Sequence, residues 1–499
     1  MSIIDRAIIQ ISPAWALRRS YAKSCLEMYE AAKPDRLHSA KGNFSSANTT
    51  NEWAWDSIRG QARYLEENHD LIDGLLGVLV NNVVGGGISV EPLPLTRDGE
   101  LHTEFAEELS EGFEEWALLP DSRGELSLGE LERLVCRTWV RDGEVFGEQI
   151  LGNPKGFRHP NGKVPFSIQA LEPEFLPISF TKEKRGIFQS IQYNQWGQPE
   201  FYYVYPFHPE DVHSPLSQIP LPKNASNIVH LKYVKRLHQS RGVSILASSL
   251  KRISGLQNYE ESELVAARIA ASIALYIKRS SEGIPPGESK DSDSKGRRYF
   301  DLAPGSLFDD LETNEDIGIV ESKRPNSLLQ SFRDAMVKAV CSATGVNFST
   351  VAKTYSGTYS AQRQELVDSY VSYGVLSDAF ISSWSRPMYQ RYVQMSLLSG
   401  RHRAPSNVDI ESIASAHFQP PVMPWIDPAR ESRSNEINTR NGWATDSEII
   451  RSRGKNPAKV KRQRVVEVQE NREKGLVCEN DNYHKYYAVK NDNTNRAKE

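Results

Sequence analysis

The sequence predicts an α+β protein, in which helical segments flank a β-rich stretch at about residues 140–235. Hydrophobic residues make up 39% of the 499-residue chain and charged residues 25%, which is typical of a soluble protein with sizeable cores. The length favours about three domains. The formal net charge is −4, so the composition does not indicate a tight nucleic-acid binder.

The cysteines and the apolar runs restrict the compartment. The four cysteines are far apart, at positions 25, 136, 341 and 478, and the sequence contains no CxxC pair. A cysteine zinc site is therefore not expected, and scattered cysteines are typical of a reducing compartment. No apolar stretch approaches the roughly 18 residues that span a bilayer. The N-terminus lacks the charged-then-apolar order of a signal peptide. We expect a cytoplasmic protein, or one assembled from the cytoplasm.

The first third of the chain should be mainly helical. Residues 31–52 are polar and rich in Ser, Asn and Thr, which predicts a flexible arm or linker. A helix is expected from about Asp56 to Val83, because apolar residues recur there at steps of three, four or seven. After three glycines, a short strand should run from Ile88 to Glu91. Residues 104–116 predict an acidic helix, and residues 128–140 predict another helix.

The stretch 151–235 predicts β-strands. The runs FSIQALEPEFLPI and GIFQSIQYN come before the turn QWGQP, and FYYVYPF comes after it. Gly197 and Pro199 in that turn indicate a β-hairpin. A further strand is expected for NIVHLKYV, from Asn227 to Val234.

The second half should return to helix. A helix is expected from Val243 to about Lys278, followed by an exposed loop at 280–298 that is rich in Pro, Gly and Ser. Helices should then span residues 328–344 and run from Ser360, as N-cap, to Pro387. The region after Asp427 is again helical and charged.

Three consecutive glycines in NNVVGGGISVEP, residues 81–92, raise the question of a phosphate-binding loop. A dinucleotide-binding turn runs strand, GxGxxG, helix, because the helix N-terminus then meets the pyrophosphate. Here the helix precedes the glycines, so a phosphate would meet the negative end of the helix dipole. Gly85, Gly86 and Gly87 are therefore interpreted as a structural helix cap, with Gly85 or Gly86 in the left-handed conformation.

The sequence motifs do not indicate catalysis. The nearest match to a P-loop, GFRHPNGKV at residues 156–164, has one residue too many between its glycines and Val164 in place of the hydroxyl. A hairpin turn at Asn161-Gly162 explains it better. GxSxG and HExxH are absent from the sequence. His208 and His213 are close in sequence, but no third metal ligand is in view.

The acidic helix does not suggest a metal site either. Its glutamates fit a solvated helix face better than a two-metal centre, at positions 107, 108, 111, 114 and 115. We therefore expect no catalytic residues, no cofactor-binding residues and no metal ligands.

A series of collinear motifs, over roughly residues 55–475, resembles lambda-type bacteriophage portal proteins. The helix that ends in NNVVGGGISVEP resembles the family's N-terminal hallmark, and these residues stand in comparable positions: Arg59, Arg63, Asn68, Asn81, Asn82 and Gly85. The later segments that resemble family motifs are, in order, VRDGEVF, LEPEFLPI, IQYNQWGQPEFYYV, NIVHL with QSRGVSIL, SATGVNFSTVAKTYSGTYSAQR, WIDPARE and ATDSEIIRSRGKNPAKV. The triple glycine is denser than the usual pattern, and GKN replaces GKD or GxD. No single motif is specific, but the ordered series is.

The resemblance implies a portal fold with a mixed α/β wing domain, a helical stem, a small clip and an α-helical C-terminal crown. The implied division is a flexible N-terminal arm (1–54), the wing (55–324), candidate stem, clip and tunnel helices (325–400), a return to the wing with the helical crown (401–478) and a disordered tail (479–499). The helices near 328–344 and 360–386 are the candidates for the stem and the tunnel lining. The alternative for both helices is plain core.

The resemblance also implies a function. A portal is a ring, of about 12 copies, at one capsid vertex, and it is the channel for double-stranded DNA during packaging and ejection. Its implied partners are the terminase large subunit, the major capsid and scaffolding proteins, and the head-completion or tail connector proteins. It is not itself the ATPase, which agrees with the missing P-loop. No cofactor and no membrane contact are expected. The implied location is the virion, after assembly in the bacterial host cytoplasm.

The densest basic cluster lies at residues 451–474, in the segment that resembles the crown, which faces packaged DNA. The candidate DNA-facing residues are Lys455, Lys459, Lys461, Arg462 and Arg464. Because each phosphate contact adds friction through counterion release, we expect weak, sequence-independent DNA binding. The alternative is a solvated helix with intrahelical ion pairs.

Two other functions stay open at this point. One is a DNA-packaging or DNA-processing enzyme with an unrecognised metal site. The other is a minor capsid or scaffolding component without a channel.

Overall fold

Helices and antiparallel sheets make up the described part of the chain. The computed structural model describes residues 11–28, 42–212, 215, 218–271, 275–279, 315–319, 328–355, 357–423 and 427–476. Contacts divide the chain into two units, Met1–Trp53 and Ala54–Glu499. Strands pair in antiparallel fashion throughout the described residues, which confirms the predicted α+β class. The predicted loop at 280–298 and the predicted tail at 479–499 lie outside these residues.

The helices precede and follow the strand-rich stretch. They are α1 (Pro13–Met28), α2 (Ala47–Asn68), α3 (Asp70–Val83), α4 (Thr103–Ala117), α5 (Leu128–Asp142), α6 (Leu250–Ala271), α7 (Leu329–Thr344), α8 (Phe348–Ala352), α9 (Tyr359–Phe380), α10 (Arg386–Leu398), α11 (Pro428–Arg440), α12 (Asp446–Arg451) and α13 (Pro457–Glu473). Within the described residues, none of the helices is long and apolar enough to cross a membrane. The predicted region boundary at residue 54 falls inside α2, and the division into regions stays a prediction.

The strands form small sheets. They are β1 (Ser89–Pro92), β2 (Glu144–Leu151), β3 (Phe166–Leu171), β4 (Ile187–Phe188), β5 (Ile191–Tyr193), β6 (Pro199–Val204), β7 (Leu221–Asn224), β8 (Ile228–Lys232), β9 (Leu275–Arg279), β10 (Glu315–Ile319) and β11 (Ala416–Gln419). The sheet orders are β3-β2-β8, β4-β5-β6-β7, β1-β11 and β9-β10. The predicted hairpin is the β5–β6 pair, with Gly197 at φ +79° in its turn.

The predicted helix from Asp56 to Val83 is two helices. His69 has φ −134° and ψ 103°, which is extended backbone, and it separates α2 from α3. Asp70 and Asp73 stand in the first turn of α3, where the positive end of the helix dipole stabilises acidic residues. The apolar periodicity continues through the break, so it could not reveal that a new helix begins at Asp70.

The prediction that the helix after Val243 reaches Lys278 is wrong. Helix α6 ends at Ala271, and Leu275–Arg279 is strand β9, paired with β10. Leu275 lies opposite Ile319, which is far along the chain. A pairing at that sequence separation leaves no local periodicity, and the alanine-rich helix signal before it hides the change.

The predicted end of a helix at Pro387 is also wrong. Helix α9 begins at Tyr359 because Thr358, not Ser360, is the N-cap and accepts a hydrogen bond from the Ala361 amide. It continues through a π-helical turn, Ile381–Ser385, into α10. Pro387 has no amide hydrogen to donate, and it stands directly after the wider π-helical turn. The chain stays helical to Leu398.

One large core joins the helices to the β3-β2-β8 sheet. Its largest buried side chains include Trp116, Trp139 and Trp384. Trp116 stacks on Phe166 of β3 with ring centroids 5.0 Å apart, and its indole nitrogen donates to the Phe166 carbonyl. A smaller core lies under β5 and β6, and it includes the ring of Tyr202. The two cores include residues of the segments VRDGEVF, LEPEFLPI, IQYNQWGQPEFYYV and NIVHL.

Candidate functional site

The glycine stretch ends α3 and turns the chain into β1. Gly85 has φ +57°, and its amide donates to the Val80 carbonyl at 3.0 Å. A Cβ on Gly85 would lie 2.8 Å from Cγ of Pro421. Gly87 has φ +118°, whereas Gly86 is not left-handed. Of the two residues proposed for the left-handed cap, the structure therefore places Gly85 in that conformation.

A buried carboxyl group joins this turn to two helices. Glu132 of α5 accepts a hydrogen bond from the Ile88 amide at 2.8 Å and another from the Ser385 hydroxyl at 2.7 Å. Burial raises the pKa of Glu132 to about 7, although both hydrogen bonds act in the opposite direction. Sequence reasoning missed this residue. The available signal was a glutamate on the apolar face of the predicted helix, four positions after Leu128 and three before Val135.

Two family-like motifs meet at a pair of glycines. Gly143 of the DGE segment and Gly242 of the RG segment approach so closely that a Cβ on either would overlap the backbone of the other segment. Gly143 has φ +95° and ends α5. Because neither glycine has a side chain, the two segments come close enough for the adjacent residues, Glu144 and Arg241, to contact each other.

Arg241 and Glu144 form a fully buried ion pair. The Arg241 Nε donates to Glu144 Oε1 at 2.7 Å, and one Nη donates to the carbonyls of Leu176 and Gln189 at 3.0 Å. The Gly242 amide donates to the second carboxylate oxygen at 2.9 Å. Burial alone would raise the pKa of Glu144, but Arg241 and His230 lower it to about 2.

His230 completes this cluster as a neutral ring. Its Nε2 lies 3.0 Å from Glu144 Oε2, and its ring stacks on Phe146 with centroids 4.3 Å apart. Burial lowers the pKa of His230 to about 4, and this outweighs the hydrogen bond to Glu144. At neutral pH the uncharged ring therefore donates a hydrogen bond from Nε2–H to the Glu144 carboxylate.

Arg59 and Arg63, the two hallmark arginines, lie on α2 and bind acidic residues of two further motifs. Arg63 contacts Asp142 of the DGE segment at 2.6 Å and Glu174 of LEPEFLPI at 2.8 Å. Arg59 also contacts Glu174, at 2.8 Å, and its guanidinium stacks over Trp55. Three motifs that are distant in sequence thus converge through charged side chains.

Asn68 of α2 and Asn82 of α3 make local hydrogen bonds instead. The side chains of Asn68 and Asn82 donate to carbonyls four residues back in their own helices. They therefore satisfy helix backbone groups locally.

Glu172, Glu174 and His208 are near enough to share a cation, because their ligand atoms lie within 4.8 Å of one another. The guanidinium groups of Arg59 and Arg63 already contact Glu174, and Arg63 also lies 3.6 Å from Glu172. Their positive charge neutralises the carboxylates and would repel a metal ion. His213, the second histidine considered from the sequence, lies outside the described residues.

The segment GFRHPNGKV forms the loop between β2 and β3. Gly162 has φ +66°, and the Asn161 side chain accepts hydrogen bonds from the amides of Lys163 and Val164 at 3.2 Å. The loop has the turn geometry expected from Asn161-Gly162.

The basic C-terminal helix lies against the acidic helix α4. Lys459 pairs with Glu114, and Arg462 lies 3.3 Å from Glu107 and 3.4 Å from Glu111. Glu107, Glu111 and Glu114 have side chains that are 43–67% exposed, as expected of a solvated helix face, and they also pair with α13. Both charged segments are visible in the sequence, but nothing in the sequence indicates that they contact each other.

The other predicted DNA-facing residues are exposed near the same contact. Lys455, Lys461 and Arg464 are exposed, and Lys461 donates to the Ser447 hydroxyl at 2.9 Å. Whether these side chains face DNA stays a prediction.

Comparison with known proteins identifies related sequences and folds. The model of the family "Phage portal protein, lambda family" matches residues 33–376. A probable portal protein of Halomonas phage phiHAP-1 is 22% identical over 451 residues, which covers 87% of this chain and 84% of that protein.

Two solved structures align with much of this chain. A chain from the neck of a native gene transfer agent particle, computed with C12 symmetry, matches 81% of this chain and 98% of its own length, at 10% identity and a TM-score of 0.45. An HK97 family phage portal protein from Corynebacterium diphtheriae matches 66% of this chain and 93% of its own, at 9% identity and a TM-score of 0.31.

Proposed function

Because the chain belongs to the lambda family of phage portal proteins, we propose that it forms a ring at one capsid vertex, through which double-stranded DNA enters and leaves. The family match over residues 33–376 carries this proposal. The related phage protein supports it, since the similarity extends over most of both chains. A ring of about 12 copies would need two different complementary surfaces on each subunit.

The proposed partners are those of a portal vertex. They are the terminase large subunit, the major capsid and scaffolding proteins, the head-completion or tail connector proteins, and DNA bound weakly and without sequence preference. We place the protein in the virion, after assembly in the bacterial host cytoplasm. The candidate stem helix α7 contacts α6, where Arg333 pairs with Glu260 at 2.7 Å.

We propose that the chain is not an enzyme. The observation that supports this is that Arg59 and Arg63 contact Glu172 and Glu174, which with His208 form a group within the described residues that could otherwise hold a catalytic cation. An assay of magnesium-dependent ATP or DNA hydrolysis by the purified chain should find no activity above background. Hydrolysis that is lost on chelation would favour the enzyme alternative.

Negative-stain electron microscopy of the purified chain tests the central proposal. Closed rings of about a dozen copies with a central hole are the expected result. Monomers, or closed shells without a channel, would exclude a portal and favour a minor capsid or scaffolding role.

The DNA-facing crown has its own test. Charge reversal in K459E/K461E/R462E should alter DNA retention in particles without breaking the ring. A matched control, K155E/K184E/R185E, makes the same charge change at exposed residues of the strand-rich region. Equal retention in the two variants would remove the crown assignment.

A further inference from the structure

The contact between α4 and α13 is made mainly by charged groups that reach solvent. Lys459, Arg462 and their three glutamate partners have side chains that are 43–67% exposed. Ion pairs in such positions are weak and weaken further as salt is added, because solvent and its ions reach both charged groups. The pairs can therefore exchange partners readily.

Apolar burial contributes little to holding α13. Pro457 is the buried residue of this helix, whereas Val465 and Val466 are 57% and 49% exposed. A cavity of about 100 Å³ lies between the two helices, bordered by Ser110 on α4 and Ala458 on α13. The contact therefore depends mainly on charge.

The three glutamates present the same chemistry as a DNA backbone. Glu107, Glu111 and Glu114 are spaced by four and three residues, so their carboxylates form one anionic stripe along α4. Phosphates offer equivalent anionic oxygens to Lys459 and Arg462. In addition, phosphate binding releases counterions from DNA, which the carboxylate pairs do not.

We propose that duplex DNA competes with α4 for the basic face of α13, so that the acidic helix limits the DNA affinity of the proposed crown. This inference rests on the proposed function, because it requires α13 to lie beside DNA. The competition weakens each contact between α13 and DNA, so DNA moves with little friction. Lys459 and Arg462 can still bind DNA phosphates when α4 releases them.

The test measures binding of a 30-base-pair duplex to the full chain by fluorescence anisotropy over a series of salt concentrations. The variant E107Q/E111Q/E114Q removes the carboxylates that compete with DNA. The control E183Q/E200Q/E210Q makes the same change in net charge at exposed glutamates of the strand-rich region. The first variant should bind at least about fivefold more tightly than the control, and its log–log salt slope should steepen by about 2, for the two released cations.

Equal affinities and slopes in the two triple variants would overturn the inference. If E107Q/E111Q/E114Q does not fold, as judged by circular dichroism, the single variant E114Q frees Lys459 alone and should steepen the slope by about 1. Electron microscopy of the same samples separates the two proposals. Rings without a difference in DNA binding would reject the competition and leave the portal assignment, whereas the absence of rings in the wild-type chain would reject the portal assignment itself.

Discussion

Arg241 donates to Glu144 at 2.7 Å, and both side chains are completely buried. The two residues are 97 positions apart. Glu144 follows Gly143, Arg241 precedes Gly242, and the backbones of these two glycines are in contact. Arg241 also donates to the carbonyls of Leu176, in the loop after β3, and Gln189, in the turn between β4 and β5. One guanidinium therefore joins its own segment to three others. This cluster joins the DGE, LEPEFLPI and RG segments.

Replacement of Arg241 by methionine should strongly destabilise the fold. The change leaves the Glu144 carboxylate buried without its cation, and the expected loss in the free energy of unfolding is about 3–5 kcal/mol. Denaturant unfolding followed by circular dichroism measures it. The control R430M breaks an ion pair with Asp427 in which the arginine is 82% exposed, and it should cost under about 1 kcal/mol. Similar losses in the two variants would contradict a structural role for the buried pair.

Alanine at Gly85 should cost stability, whereas alanine at the neighbouring Gly86 should not. Gly85 is left-handed and a Cβ there would contact Pro421, whereas a Cβ on Gly86 would meet nothing within 4 Å. We expect G85A to lose about 1–2 kcal/mol in the free energy of unfolding and G86A to stay within about 0.5 kcal/mol. If thermal unfolding ranks the two variants in the opposite order, Gly85 is not the cap that ends α3.

Alanine at Gly143 should be more harmful than alanine at Gly152. Both glycines have positive φ, but a Cβ on Gly143 would overlap the Val243 backbone, whereas one on Gly152 would lie in open space. G152A should therefore show only the left-handed strain of about 1 kcal/mol. G143A should exceed this clearly, because the Val243 segment must move and carry Arg241 away from Glu144. Equal effects on the unfolding midpoint would mean that the close approach does not matter.

Glu132 should make stability depend on pH near neutrality. Its pKa is about 7 in the folded protein and 4.5 in the reference state, so the folded protein binds this proton more firmly between those values. The contribution of Glu132 is therefore complete below pH 4.5, and it falls as the pH rises to 7, by about 3 kcal/mol in total.

The variant E132Q isolates that contribution. Its free energy of unfolding, minus that of the wild type, should increase between pH 5 and pH 7.5, because the amide keeps an acceptor for the Ile88 amide and has no charge to desolvate. His230 titrates over part of the same range in the opposite sense, since its folded pKa of about 4 lies below 6.5. Both proteins contain it, so it cancels in the difference. Parallel curves for the two proteins would show that Glu132 does not titrate there.

Features with a local cause could be predicted from the sequence. The cap at the glycine stretch follows from a helix that must end before a strand, and Gly85 is one of the residues that can take the left-handed conformation. The turn at Asn161-Gly162 and the hairpin around Gly197 depend on the same short-range chemistry. The order of the motifs, likewise a property of the chain alone, led to the portal family.

The tertiary structure decided which distant residues meet. Glu114 and Lys459 are 345 positions apart, and Arg241 and Glu144 are 97 apart. The sequence around each residue does not indicate which residue it pairs with. The strand at Leu275 and the buried carboxyl of Glu132 also depend on segments far away in sequence. A local pattern encodes propensity and periodicity, but it does not encode the burial and the pairing energy that arise only when two remote segments share one core or one surface.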